Sequence, residues 1–464
     1  MSELDLSKGL TVRTFGFNIP CRRFVLAAKV TRDRRMPLVD EFVLRALKLA
    51  EQLTLSRLAG FFGFSLTEVQ TVITDLVSRS LVVVDGENVR LHASANEMLR
   101  TSSDGVPTVL EVESWVEILW FDLISGSMIP HGIRRGMNLV DVTPPASRES
   151  VSIEFARSAF EENFRDYLKI YRKMHNPDAF SLYAVTDVQP SQYGHVAIAG
   201  TEELILHPQP KLQPSLLESE GDRPQRARKL SEAMRRAYDD LTHPDPSAAA
   251  RAEYASLTDS TSLQAASLSN GYVDLERWQR AELAERRAGV ATLIGAAYLE
   301  RNRQSFRALV EERAAQLVPD SNSVFPGLVW LRPAGSSWGA TDDLRAMLAE
   351  VRAAARGVPD RRASIRTTLI VPAAERNSQP RRFKRLFDHG VLSPPGYLPP
   401  AVEVIMMRGV AAAVLVWVAL SESCGVWVGR ATNLAQDLAT LEDRLRFKEL
   451  HAQSTRLWPD PGPG

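Results

Sequence analysis

Cysteine is nearly absent from this chain: two occur in 464 residues, Cys21 and Cys424. Far apart and with no Cys or His around them at zinc spacing, they exclude a disulfide framework and fit a reducing, cytoplasmic setting. Net charge is absent too. Lys and Arg number 56 and Asp and Glu 56, so any attraction to nucleic acid has to be regional. Long apolar runs are lacking. The best, "GVAAAVLVWVAL" from Gly409 to Leu420, falls well short of the roughly 20 residues of a helical span, and no membrane partner is expected. The polar opening "MSELDLSKGL" has no signal-peptide pattern. Gly-x-x-x-x-Gly-Lys-Ser/Thr, Gly-x-Ser-x-Gly and His-Glu-x-x-His are all missing, and none of the eight histidines pairs at metal spacing. No cofactor and no metal site is expected.

What is present reads as a mixed α/β, multidomain chain. Residues 1–35 hold two strand-like pieces around Pro20, and from Arg13 to Arg35 these carry Arg13, Arg22, Arg23, Lys29, Arg32, Arg34 and Arg35 against one acid, Asp33: a basic β arm. Residues 36–105 give three helical patterns and a hairpin, with Thr54 and Ser65 as N-caps and Asp85-Gly86 as the turn. A mixed α/β region (106–210), a helical region (211–322), a C-terminal α/β unit (323–448) and a flexible tail (449–464) follow. The unbroken charged-and-apolar period of "DLERWQRAELAERRAGVATLIGAAYLERNRQSFRALVEERAAQL" predicts one long helix. "GVAAAVLVWVAL" and "CGVWVG" predict two buried strands joined by a polar turn.

Helix, helix, helix, hairpin resembles the winged helix-turn-helix domain over residues 36–100. The resemblance implies that the third helix enters the major groove and that the hairpin touches the backbone. Thr67, Gln70, Thr71 and Arg79 would lie on that helix, with Asn88, Arg90 and His92 on the wing. The third helix carries one cation, Arg79, opposed by Glu68 and Asp75. Two readings stay open: contact with DNA assisted by the basic arm, or contact with protein.

Residues 323–448 are similar to the phospholipase D superfamily, whose motif runs His-x-Lys, four residues, Asp, six residues, Gly-Ser. Counting back from Gly429 puts Glu422 at the Asp position, Trp417 at the Lys position and Leu415 at the His position; Arg430 stands for the Ser, and Asn433 falls near the usual Asn. Leucine cannot attack phosphorus and tryptophan cannot neutralise a phosphate, so the resemblance implies a pseudoenzyme. The superfamily assembles a site from two motifs, by duplication or dimerisation, which makes a homodimer one expectation. The unit has 17 Lys/Arg against 11 Asp/Glu. Arg381, Arg382, Lys384 and Arg385 form a candidate phosphate-contacting loop.

His243-Pro244-Asp245 reads as a helix stop and turn. The expected function is that of a non-catalytic nucleic-acid-binding subunit, with DNA and other proteins as partners, in a bacterial multi-protein DNA-targeting system such as phage defence. One alternative is a winged-helix transcription regulator with a ligand-sensing C-terminal domain. A second is a nuclease built in residues 106–210 from His175, Asp178, Asp187, His195, Glu202 and Glu203.

Overall fold

The computed structural model describes residues 6, 8–93, 95, 99–101, 107–145, 152–215, 224–285, 287–316, 327–356, 365–377 and 380–459. The fold is mixed α/β, and the described residues form two large sheets and one small one.

Residues expected as a basic arm form instead a single long strand, β1 (Leu10–Arg35), in the middle of a seven-stranded sheet. Its buried set changes parity. Phe15, Phe17, Ile19 and Cys21 are buried at odd positions, and Phe24, Leu26, Ala28 and Val30 at even ones. A bulge between Arg22 and Phe24 makes the switch. Pro20 does not break the strand. It pairs with His195 where the neighbouring strand turns its own polar groups away, His195 N donating to Ile133 O at 2.9 Å and Ile133 N to His195 O at 2.7 Å. No ladder bond is asked of the missing N–H, and Pro20 O accepts from Leu123 N at 2.9 Å.

The chain then builds a compact unit: α1 (Leu38–Ala50), β2 (Gln52–Thr54), α2 (Leu55–Phe62), α3 (Leu66–Ser78), β3 (Val82–Asp85) and β4 (Asn88–Leu91), the strands pairing in the order β2-β4-β3. Thr54 caps α2, its Oγ1 accepting from Arg57 N at 3.2 Å. Ser65 and Glu68 form a capping box on α3. The buried residues at helical spacing, Val43, Leu44, Leu47, Leu58, Val69, Ile73 and Leu76, meet Val82 and Val89 in one core.

The first large sheet is completed by β5 (Leu99–Thr101), β6 (Pro107–Asp122), β7 (Met128–Ile129), β8 (Val140–Asp141), β9 (Phe180–Ile205) and β10 (Lys211–Ser215), in the order β10-β9-β1-β6-β5. Helix α4 (Ile153–Glu162) covers its outer half, Phe160 joining Phe24, Leu26 and Phe121. Helix α5 (Pro224–Asp239) covers the inner half with Leu230 and Met234 against Phe15, Phe17 and Ile19.

Helices α6 (Ala248–Thr258), α7 (Ser262–Ala266) and α8 (Leu275–Ala284) lead into the second sheet. Its strands are β11 (Val290–Ile294), β12 (Leu328–Leu331), β13 (Thr367–Val371), β14 (His389–Leu392), β15 (Val402–Met407), β16 (Ala411–Ala419), β17 (Gly425–Thr432) and β18 (Thr455–Trp458), in the order β11-β17-β16-β15-β12-β13-β14-β18. Around it lie α9 (Glu300–Gln316), α10 (Asp343–Arg356), α11 (Ala435–Leu445) and α12 (Phe447–Gln453). Strands β15 and β16 are buried almost throughout, which is why their sequence is continuously apolar rather than alternating.

Two expectations fail here. The long helix is two helices with β11 between them. Gly289 and Gly295, at φ +82° each, bracket the strand, and a Cβ on either would lie 2.5 Å from Asn433 Oδ1 or Val12 O. The tail is ordered through Pro459: β18 extends the sheet, and Trp458 Nε1 donates to Phe387 O at 2.9 Å. The two large sheets are joined by backbone bonds from Gly16 N to Ala340 O (2.8 Å) and from Ala296 N to Val12 O (2.9 Å).

Candidate nucleic-acid interface

On α3 the buried residues Val69, Ile73 and Leu76 occupy one side, which leaves Thr67, Gln70, Thr71, Thr74 and Asp75 in solvent. Two hydroxyls bond back into the helix, Thr71 Oγ1 to Thr67 O at 2.9 Å and Thr74 Oγ1 to Gln70 O at 2.7 Å. Their oxygens still accept, and the Gln70 amide offers both functions. Glu68 is occupied: its Oε2 accepts from Ser65 N at 2.8 Å and from Ser65 Oγ at 2.8 Å. The Ser65 backbone and hydroxyl bonds hold its carboxyl below the usual range, and the helix N-terminus beside it favours the same charge.

Arg79 is not available as a phosphate ligand. It is tied to Asp40 and, at 2.8 Å, to Asp75, clipping α3 to α1. Arg90 is exposed on β4, opposite Gln52 and Val83. Residues 36–95 contain five Lys/Arg and seven Asp/Glu. Asp40, Glu41 and Asp75 are ion-paired within the unit, and Lys48, Arg57 and Arg90 remain exposed without an acidic partner among the described residues. Lys48 and Arg57 were not singled out from the sequence. Each stands only about 100° round its helix from a buried neighbour, Leu47 or Leu58, so the helical period alone does not mark them out.

The cations of the first strand do not form one patch. Arg13 is 2 % exposed; its Nε and Nη2 donate to Glu202 Oε2 at 3.0 and 2.5 Å, and its Nη1 lies 2.6 Å from His243 Nδ1. Since guanidinium only donates, Nδ1 accepts and the ring proton sits on Nε2. Burial first, then the Arg13 charge, push the His243 pKa down to about 3. Tyr238 OH also donates to Glu202, and Trp417 stacks on His243 at 5.2 Å. The whole cluster fastens the two sheets together and excludes Arg13 from contact with DNA. Arg22 lies over the Tyr193 ring at 4.7 Å, and Arg23 donates to Ser191 Oγ at 3.1 Å. Lys29 is exposed. The side chains of Arg34 and Arg35 lie outside the described residues. At about 3.3 Å per residue, Arg13 and Arg35 stand roughly 70 Å apart along the strand.

In the C-terminal loop Arg382 is spent on structure, donating to Ser336 O at 3.0 Å and Trp338 O at 3.3 Å, and burial lowers its pKa. Arg381, Lys384 and Arg385 face solvent. Leu415 is fully buried and Trp417 nearly so, Gly429 pairs with Leu415 across β16 and β17, and Glu422 is exposed in the turn between them. Arg430, 4 % exposed, is paired with Glu282 and Glu285 at 2.9 and 2.8 Å. Asn433 Nδ2 donates to Leu309 O at 3.2 Å and Glu312 Oε2 at 3.0 Å. Five of these six positions are core structure, and Glu422 is a surface turn residue.

No family model matches the chain. No curated protein matches it either. Among solved structures it is similar to the archaeal chromatin protein TrmBL2, whose structure is described as showing a novel mode of DNA binding; identity is 8 %, over 91 % of this chain and 95 % of that one, with a TM-score of 0.22. At that TM-score the likeness carries no weight for function.

The residues suggested for a nuclease do not converge. Glu202 is committed to Arg13, Asp178 pairs with Arg165 at 2.5 Å, and Asp187 accepts from Gln189 Nε2 at 2.8 Å. His195 and Glu202 share β9 and, at about 3.3 Å per residue, stand about 23 Å apart. His175 and Glu203 are exposed or part-exposed, on different segments. Among the described residues no group of three or more His, Cys, Asp or Glu could hold a metal ion.

Proposed function

We propose that this chain is a non-catalytic nucleic-acid-binding protein in which residues 36–95 work as a winged helix-turn-helix, with α3 in the major groove, and residues 327–458 are a phospholipase-D-like unit without its chemistry. The carrying observation is the uncovered polar side of α3, where Thr67, Gln70, Thr71 and Thr74 offer hydrogen-bonding groups suited to base edges. Lys48, Arg57 and Arg90 are the cations of that unit left for phosphates. The absence of catalysis is supported by Leu415 and Trp417, which sit in the core where a nucleophile and a phosphate ligand would be required. The unit of residues 36–95 exposes Leu38, Phe42 and Leu49 along one side of α1, which suits a protein neighbour. A role as a subunit of a DNA-targeting assembly, phage defence included, rests on that surface.

The test is duplex DNA binding by fluorescence anisotropy across roughly 50 to 200 mM salt. Three phosphate contacts give a slope of log K against log salt of about −3. Arg57→Ala and Arg90→Ala should each flatten it by about 1, and Gln70→Ala should change sequence preference with the slope kept. Absent or salt-independent binding refutes the proposal.

A further inference from the structure

Where the first large sheet meets α10 lies a cavity of about 440 Å³ whose wall carries five arginines, Arg134, Arg135, Arg345, Arg352 and Arg385, and one acid, Asp342. Two of the five are compensated. Arg135 Nε donates to Asp141 Oδ1 at 2.7 Å, and Arg352 reaches Asp388 at 3.5 Å, Thr367 Oγ1 at 3.0 Å and Leu386 O at 3.4 Å. Arg134, Arg345 and Arg385 are exposed to the cavity's solvent and have no ion-pair partner among the described residues. Set against Asp342, they leave about two positive charges. That matches a phosphate monoester, which carries about −1.5 to −2 near neutral pH.

Three separate segments supply these groups, and the structure fixes each. Arg345 and Arg352 lie two turns apart on one side of α10. Arg385 follows the short helical turn Pro380–Phe383. Arg134 and Arg135 stand on a loop pinned on both sides. Its Ile133 exchanges two backbone bonds with His195 of β9. The buried Asn138 reaches across to the loop before α10, Nδ2 donating to Gly339 O at 3.0 Å and Thr341 O at 2.8 Å, and Gly136 N donates to the buried Asn18 at 3.0 Å. Leu139, Leu348 and Leu386, all largely buried, give the cavity an apolar floor. His195 feels the field: burial and then the Arg135 charge lower its pKa. Guanidinium forks held apart by a rigid frame suit the oxygens of a phosphate, and the frame removes the ordering cost of assembling them on binding.

We infer that this cavity is a phosphate-monoester site, separate from α3, that takes the phosphate of a mononucleotide-sized ligand. The volume lies within the range of small-molecule sites and leaves no room for a duplex. The same chemistry is also offered by the 5′-phosphate of a nucleic-acid strand, and the two sources are separable.

The experiment is calorimetric titration of the full chain with adenosine monophosphate, with adenosine, and with 5′-phosphorylated and 5′-hydroxyl single-stranded oligonucleotides, using inorganic phosphate as competitor. Arg345→Ala, Arg385→Ala and Arg134→Ala change exposed side chains, and an unchanged Tm confirms that each variant is folded. The expected result is saturable binding of adenosine monophosphate, competed by phosphate, with Kd raised at least tenfold by each variant and untouched by Arg57→Ala. If only the 5′-phosphorylated strand binds in an Arg345-dependent way, the site stands and its ligand is a strand end. Equal binding of adenosine, binding indifferent to all three variants, or no binding of any phosphate probe overturns the inference.

Discussion

Replacing Glu403 by glutamine should make the protein more stable, and only above a definite pH. Glu403 is fully buried on β15, and its Oε1 accepts from Trp330 Nε1 at 2.8 Å and Trp338 Nε1 at 2.7 Å. Burial pushes its carboxyl up to about 7, against the opposing pull of the two indole bonds and Arg332. Between the ordinary value of 4.5 and about 7 the folded protein keeps a proton that the unfolded chain has released, so stability falls as pH rises through that window. At about 1.4 kcal/mol per unit the cost reaches about 3 kcal/mol above pH 7. Glutamine accepts both indole bonds through its carbonyl and never ionises. Glu403→Gln should therefore be near neutral at pH 4.5 and about 3 kcal/mol stabilising at pH 7.5. His243 works in the opposite direction. Its folded pKa of about 3 lies below the ordinary 6.5, so stability rises with pH between those values. From 4.5 to 6.5 the two effects offset each other in the parent protein. The variant should expose the rising His243 limb, about 1.4 kcal/mol per pH unit. Urea unfolding followed by tryptophan fluorescence, from pH 4.5 to 8, measures both. A variant destabilised at pH 7.5, or one whose profile parallels the parent's, refutes the assignment.

Arg430→Met leaves the buried Glu282 without its cation and should cost about 3–5 kcal/mol, whereas Glu422→Gln in the exposed turn should stay within about 0.5 kcal/mol; urea midpoints separate the two. Restoring the residues of the lost motif, Leu415→His with Trp417→Lys, should yield no phosphodiester hydrolysis, measured on bis(p-nitrophenyl) phosphate, and less soluble protein. An ammonium at Trp417 would be buried beside the Arg13 guanidinium, whose carbon lies 5.6 Å from the present ring.

Local chemistry was legible from the sequence where the structure depends on near neighbours. Ser65 three residues before Glu68, Thr54 ahead of α2, Asp85-Gly86 between two short strands, and the run from Gly409 to Leu420 all became the elements their patterns imply. What stayed hidden depends on distant partners. Pro20 reads as a break unless His195, which turns its polar groups toward Ile133, is known to lie opposite. The "GVATLIG" strand has an apolar content that a helical period also accepts, and only the crowding of Gly289 by Asn433 and Gly295 by Val12 reveals it. Arg13 looks like one more cation of a basic run until Glu202, 189 residues away, is placed beside it.

That last case bounds the nucleic-acid affinity on which the proposed role could draw. A buried guanidinium must be matched by fixed acceptors, because an unpaired charge in the core is costly, whereas a phosphate-binding guanidinium must be left without them. The two demands are exclusive, and the arginines of this protein divide along that line. Arg13, Arg79, Arg382 and Arg430 hold elements together. Lys48, Arg57 and Arg90 stay open on the unit that carries α3, and Arg134, Arg345 and Arg385 around the cavity. Runs of positive charge therefore overstate the electrostatic footprint: of Arg13, Arg79, Arg382 and Arg430, none can release a counterion from DNA. On the proposed role, about three phosphate contacts are the load this unit could bear, so tight binding to DNA would have to draw on a second site of the same molecule or on another protein bound beside it.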